Sequence, residues 1–311
     1  MTQFRLTTPV AFFVFNRPET TRRVFERIAQ ARPSRLLLVA DGARENRPEE
    51  AERCLQVREI ISKIDWPCEV TRNFADKNLG CRARMSSGID WVFHEVAEAI
   101  ILEDDCLPDP SFFQFTQELL ERYRDEERVM MIGGTNFQQD RNVTANSYYF
   151  SRYTHIWGWA TWRRAWQGHY DVQMKKWPEF RQNSGLEKIF RDKKTVLYWT
   201  KIFDLMHAGK IDTWDYQLLF ANFFHGTLAA TPRVNLISNI GFGPGATHTL
   251  EANNFQANMT AQAMPFPLRH PKEIVVNEAA DEFVQNTCFR QSVQERIRAK
   301  WKSLWRMLHS P

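Results

Sequence analysis

Ala99-Ile100-Ile101-Leu102-Glu103-Asp104-Asp105-Cys106-Leu107-Pro108-Asp109 is the stretch from which the fold can be read. A short apolar run ends in three consecutive carboxylates, and Pro108 and Pro110 punctuate the chain before a new amphipathic segment. A run of that length bounded by turn residues suits a buried strand. Acids that close repel one another, so holding them ionised at a strand tip calls for a divalent metal or for solvent. The residues alone leave two readings open, a metal site and a solvated acidic turn.

Upstream, the same pattern recurs. Pro9 to Phe15 is a continuous apolar run suited to a buried parallel strand, and Asn16 with Glu19 gives an N-cap signature with Pro18 in the first turn of a helix to about Gln30. Ser34 to Ala40 repeats the run and ends at Asp41-Gly42; Pro48 to Ile64 then carries helical spacing. Cys68 to Asn73 is a third strand candidate, and Asn78-Leu79-Gly80 turns into a helix from about Arg82 to Val96. Downstream of the acids, Phe112, Phe115, Leu119, Leu120 and Tyr123 mark a helix face, and Val129 to Ile132 reads as a fifth strand before Gly133-Gly134. This alternation predicts an α/β, Rossmann-like fold, a mainly parallel sheet flanked by helices. Ligands of such sheets bind beyond the carboxyl ends of the strands, where Arg17, Asp41, Asn78 to Arg84 and Glu103 to Asp105 fall. Residues 136–288 are less regular, with the tryptophan-rich Ile156 to Trp166, helical stretches at Trp199 to Met206 and Trp214 to His225, and a glycine-rich loop at Asn239 to Gly245. That loop matches neither a dinucleotide fingerprint nor a Walker loop. The expected division is a nucleotide-binding half (1–135), an acceptor half of the same domain (136–288) and a basic C-terminal helix (289–311).

Composition narrows the class. With 41 Lys and Arg against 37 Asp and Glu in 311 residues, the formal charge of +4 gives no case for nucleic acid. No window reaches membrane-spanning length, and Pro9 to Phe15 leads straight into Asn16-Arg17-Pro18 rather than a cleavage site. The five cysteines lack a metal-ligand spacing, so the expectation is reduced thiols in a cytoplasmic protein, with the sequons at Asn142 and Asn258 incidental.

An apolar strand ending in Glu-Asp-Asp, after strand ends bearing Arg17 and Asp41, is the layout of an enzyme holding a nucleotide diphosphate through a hard cation. Arg17 and Arg84 can donate to base, ribose or phosphate. Ile100 to Phe115 resembles the acidic metal-binding segment of the N-acetylglucosaminyltransferase I-like glycosyltransferases. That family has the GT-A fold, uses a sugar nucleotide with Mn2+ (or Mg2+), and inverts at the anomeric carbon. Further islands agree in order. Val14 to Arg17 is similar to the family's first strand, implying a base contact for Arg17, and Leu38 to Gly42 to its second, implying a ribose or base contact for Asp41. The resemblance makes Asp105 the direct metal ligand, with Glu103 and Asp104 contacting sugar or ribose. Asp212-Thr213-Trp214-Asp215-Tyr216 resembles the element carrying the general base, placing that role on Asp215; a helix N-terminal acid is the plainer alternative. Gly241-Phe242-Gly243 with Thr247-His248-Thr249 resembles the segment closing over the diphosphate. The family's nucleotide-site histidine has no counterpart; Arg84 stands near that position. Trp157-Gly158-Trp159-Ala160-Thr161-Trp162 and Asn239 to Gly243 are also similar to a group of bacterial sugar transferases. This puts Asn239 in the site and gives Trp159 either a core role or stacking on an acceptor sugar.

Near the end, Ile297, Trp301, Leu304 and Leu308 share a helical stripe among Arg296, Arg298, Lys300, Lys302 and Arg306. Such a helix lies on an anionic membrane or docks on the catalytic domain. The expectation is an inverting, metal-dependent hexosyltransferase moving N-acetylglucosamine or a related hexose from a UDP-sugar to a glycan or lipid-linked acceptor in bacterial surface polysaccharide synthesis. It would be cytoplasmic or peripheral on the inner face of the plasma membrane. The alternatives are a non-catalytic carbohydrate- or membrane-binding protein and a sugar nucleotidyltransferase.

Overall fold

The computed structural model describes residues 4–242, 256 and 259–289. His248, the Gly243 to Thr249 segment and the basic stripe of 290–311 lie outside the described residues. The first part of the chain alternates β1 (Val10–Val14), α1 (Pro18–Ala31), β2 (Arg35–Ala40), α2 (Glu49–Ile61), β3 (Glu69–Phe74), α3 (Cys81–Glu95) and β4 (Glu98–Glu103). β1 is buried along its whole length, which is why its run is apolar without alternation. It pairs in parallel with β2 on one side and β4 on the other, with Phe13 beside Glu103, and β2 pairs in parallel with β3. α1 begins one residue later than the sequence predicts. Arg17, not Asn16, precedes it without any side-chain cap; Pro18 has no N–H to satisfy, and the Arg17 carbonyl accepts from Thr21 N at 3.0 Å.

The chain continues through β5 (Cys106–Pro108), α4 (Ser111–Arg122), β6 (Val129–Gly133), β7 (Tyr148–Ser151) and β8 (Trp159–Trp162). Helices α5 (Arg163–His169), α6 (Trp177–Gln182), α7 (Gly185–Ile189), α8 (Lys193–His207) and α9 (Asp215–His225) follow. β9 (Leu228–Pro232), β10 (Ile237–Asn239), α10 (Glu278–Val284) and a π-helical turn at Gln285–Phe289 complete the described chain. Eight strands form one sheet in the order β3-β2-β1-β4-β8-β6-β9-β7, so the α/β, mainly parallel architecture stands. One departure matters. β6 does not lie beside β4; β8 is inserted between them, antiparallel to both, with Ala160 opposite Ile100 and Ile132. Its four residues are all buried, so the tryptophan-rich segment is a strand covered on both faces. Trp162 faces α4, donating from Nε1 to Leu120 O at 3.2 Å, while Trp159 points to the other face against Trp166 and Trp214. A second aromatic core, including Trp177, Trp199, Phe203, Phe220 and Phe223, fills the space among the helices after β8. No helix among the described residues is long and apolar enough to cross a membrane.

Gly158 shows how tightly β8 is held. Its φ of +59° is a left-handed conformation, and a Cβ there would lie 2.5 Å from Ile237 Cδ1. Gly134 N donates to its carbonyl at 2.7 Å. The glycines of the Gly133-Gly134 and Trp157-Gly158-Trp159 motifs thus meet where two backbones cross.

Candidate active site

The three acids stand where the sequence places them, at the carboxyl end of β4 in the middle of the sheet. β5, which follows at once, pairs antiparallel with β10, setting Asn239 opposite Cys106. Ile240 N donates to Asp105 O at 2.8 Å, and Gly241 packs so closely that a Cβ on it would fall on the Asp105 carboxylate. Asn239 is buried and its Oδ1 accepts from Gly241 N at 2.9 Å, so it shapes this turn rather than facing the cleft.

The three carboxylates differ in environment. Asp104 is 8% exposed and turns inward, its Oδ2 accepting from Phe15 N at 3.1 Å. Burial, then the charge of Asp105, pushes its pKa up to about 7. Burial and the charges of Asp105, Asp104 and Asp215 push Glu103 well above the usual carboxylate range. Asp105 instead pairs with Arg17, Nη1 to Oδ2 at 2.9 Å, with side-chain exposures of 19% and 22%. Among the described residues, the Arg17 guanidinium is the cation that acts on all three acids. Among the described residues no three His, Cys, Asp or Glu side chains converge as a ligand set for a metal. A hard cation taking one carboxylate from the protein and its remaining oxygens from a diphosphate and water fits this donor set, with Asp105 as the accessible ligand.

Asp41 and Arg84 lie close by but are engaged internally. Asp41 Oδ1 accepts from Gly42 N at 2.9 Å and Leu79 N at 3.0 Å, and its Oδ2 accepts from Asn78 Nδ2 at 2.9 Å. Burial raises its pKa against these donors. The carboxylate pins the loop before α3 to the end of β2, which the sequence does not reveal because the partners are mostly backbone groups. Arg84 is buried and donates to the carbonyl and side chain of Asn73, fastening α3 to β3.

Asp215 opens α9, and Thr213 Oγ1 donates to its Oδ1. Asp212, exposed, accepts from Arg82 N at 3.3 Å and so holds the Asp212–Asp215 turn against the start of α3. Cys81 is the first residue of α3. Burial, then the charges of Glu103, Asp215, Asp212 and Asp41, push its thiol up to about 12. Asp212, Thr213 and Cys81 carry no signal of this in the sequence beyond their nearness to Asp215 and Gly80. The stacking role for Trp159 is corrected. It is 1% exposed and packs on Trp214 with centroids 5.8 Å apart, leaving no face for a sugar. Trp157, half-buried, meets Phe242 edge-on at 5.7 Å at the rim instead.

No family model and no curated protein sequence matches the chain. Solved structures similar in part include a UDP-glucose pyrophosphorylase complexed with UDP-glucose, at 12% identity over 47% of this chain and 62% of that one, with a TM-score of 0.27. Residues 1–349 of S. aureus TarS match at 9% identity over 52% and 48% of the two chains, with a TM-score of 0.36. The 4-diphosphocytidyl-2C-methyl-D-erythritol synthase of Anaerococcus prevotii matches at 8% over 51% and 72%, with a TM-score of 0.32. The chain spans less than two thirds of the first two. Likeness at this level carries no argument about chemistry, which rests on the site itself.

Proposed function

We propose that this chain is an inverting, metal-dependent GT-A glycosyltransferase that moves a hexose, N-acetylglucosamine or a close relative, from a UDP-sugar to a hydroxyl of a glycan or lipid-linked acceptor. The observation that carries this reading is the placing of Glu103, Asp104 and Asp105 at the carboxyl end of the central strand β4, with Arg17 paired to Asp105 and the Asp212–Asp215 turn held against the start of α3. Mn2+ or Mg2+ held by Asp105 would supply charge stabilisation on the departing diphosphate. Arg17, already in contact with Asp105, supplies a second positive charge on the same side. Asp215 is the base. Thr213 fixes its Oδ1, leaving Oδ2 to take the proton of the acceptor hydroxyl while the hydroxyl oxygen attacks the anomeric carbon from the face opposite the nucleotide and the nucleoside diphosphate leaves. Glu103 lines the sugar side, with Asp104 fastening the strand end to Phe15 N, and the basic stripe of 295–308 would bring the enzyme to the inner face of the plasma membrane in surface polysaccharide synthesis.

The test is incubation with Mn2+ and a panel of nucleotide sugars, following free nucleotide. Metal-dependent release of UDP from one donor is the expected result. Conversion of a donor to nucleoside triphosphate and sugar 1-phosphate only when pyrophosphate is added would identify a nucleotidyltransferase, and no turnover with any donor would leave a binding protein; either overturns the proposal.

A further inference from the structure

A cavity of about 630 Å³ lies far from the acidic strand end, bounded by the end of β7, the connection into α8, and α10 with the π-helical turn. β7 is the edge strand, four strand spacings from β4, or about 19 Å across the sheet at ~4.8 Å per step. It runs antiparallel to β9, which pairs in parallel with β6. The end of β7, with Ser151 beside Ala229 at the start of β9, is therefore on the opposite edge of the sheet from Asp105.

The floor of this cavity is preorganised. Gln285 is 7% exposed, and its Oε1 accepts from Tyr153 Oη at 2.7 Å and Trp199 Nε1 at 2.9 Å. An indole N–H only donates, so the atom facing Trp199 must be the amide oxygen and the amide orientation is fixed. The Nε2 of Gln285 then has no acceptor among the described residues, although this side chain lines the cavity. That leaves the amide N–H groups of Gln285 to be offered to an acceptor in the cavity. Beside it, Asp281 is locked by Ser151 Oγ at 2.6 Å and Arg152 N at 3.0 Å. The remaining wall sets Phe190 and Ile189 among groups of both signs, with Arg152, Arg191 and Lys194 against Asp192, Glu278, Asp281 and Glu282. A lining with an excess of acids disfavours a polyanion, and so polar a lining disfavours a lipid tail. Planar carboxylate, guanidinium and amide groups beside one aromatic wall match vicinal hydroxyls and the apolar face of a sugar ring.

We propose that this cavity is a second, non-catalytic site for a neutral glycan segment, on the opposite edge of the sheet from the donor site. It does not depend on the transferase reading. The test titrates the full chain with chitotetraose, cellotetraose and maltotetraose by calorimetry and saturation-transfer NMR. Saturable binding of at least one is expected, weakened roughly five- to tenfold in Gln285→Leu. Because Gln285→Leu leaves Tyr153 and Trp199 without their acceptor and can impair folding, Arg191→Ala and Phe190→Ala at the wall form the second arm, with the same loss expected. Asp105→Asn should bind as the wild type does. Binding lost in Asp105→Asn, binding that survives all three wall and floor variants, or no saturable binding of any probe would overturn the proposal.

Discussion

At the scale of single residues, environment separates chemically identical groups. Glu103, Asp104 and Asp105 are neighbours in sequence, yet Asp104 is turned inward onto Phe15 N while Asp105 meets Arg17 at a partly open surface. Asp104 and Asp105 form the turn between β4 and β5, where adjacent side chains leave the backbone in different directions. The sequence makes all three legible as a cluster; it does not divide their labour, because the Phe15 amide and the Gly241 backbone leave no mark on residue type. Asp215 is the sharpest test of the proposed chemistry. Asp215→Asn keeps the hydrogen bond from Thr213 but not the base, so transfer should fall about 10²–10⁴-fold while donor affinity, measured by calorimetry, stays within about twofold. His155 gives an independent pH signature. Burial lowers its pKa to about 3, beneath the edge of Phe137 at 4.6 Å, so the folded ring stays neutral where the unfolded chain takes up a proton. Its contribution is fully present above about pH 6.5 and is lost as pH falls below it, at about 1.4 kcal/mol per pH unit. Asp281, pushed up to about 6, acts in the opposite sense between pH 4 and 6. It is common to both proteins in a comparison of wild type with His155→Gln. The stability difference between them, from urea melts, should therefore move in favour of the variant by that slope between pH 6.5 and 4.5; a pH-independent difference would rule the account out.

At the scale of elements, β1, β2 and β4 were legible because each is a buried apolar run closed by a polar turn, whereas β3 is a mixed, partly exposed edge strand. β8 was not, since four residues of Trp-Ala-Thr-Trp carry neither a long run nor a period, and their place between β4 and β6 depends on partners 60 and 30 residues away. Its position is fixed by the backbone of Gly158 more than by its side chains. Gly158→Ala must adopt φ near +59° and press a methyl on Ile237, at a cost of about 2–4 kcal/mol. Gly168→Ala, with nothing within 4 Å and helical backbone, should be neutral or slightly stabilising. Thermal melts of the pair separate the two cases. The loss should also reach the active site, because Ile237 belongs to β10, whose continuation holds Asp105 through Ile240.

At the scale of the whole molecule, the two halves that differ so much in sequence regularity share one sheet, and what joins them is β8. The order of strands in space has a consequence during synthesis. When the ribosome has produced the first 135 residues, β4 has β1 on one side and nothing on the other, since its second partner lies at Trp159–Trp162. A nascent chain stalled there would carry an open, apolar strand edge along Glu98–Glu103, a ready template for pairing between copies. Expressed alone, the 1–135 fragment should self-associate in light scattering, despite containing Arg17, Asp41, Arg84 and Glu103 to Asp105. The free side of β4 is thus closed late, by a strand that is made after β6 and lies between the two.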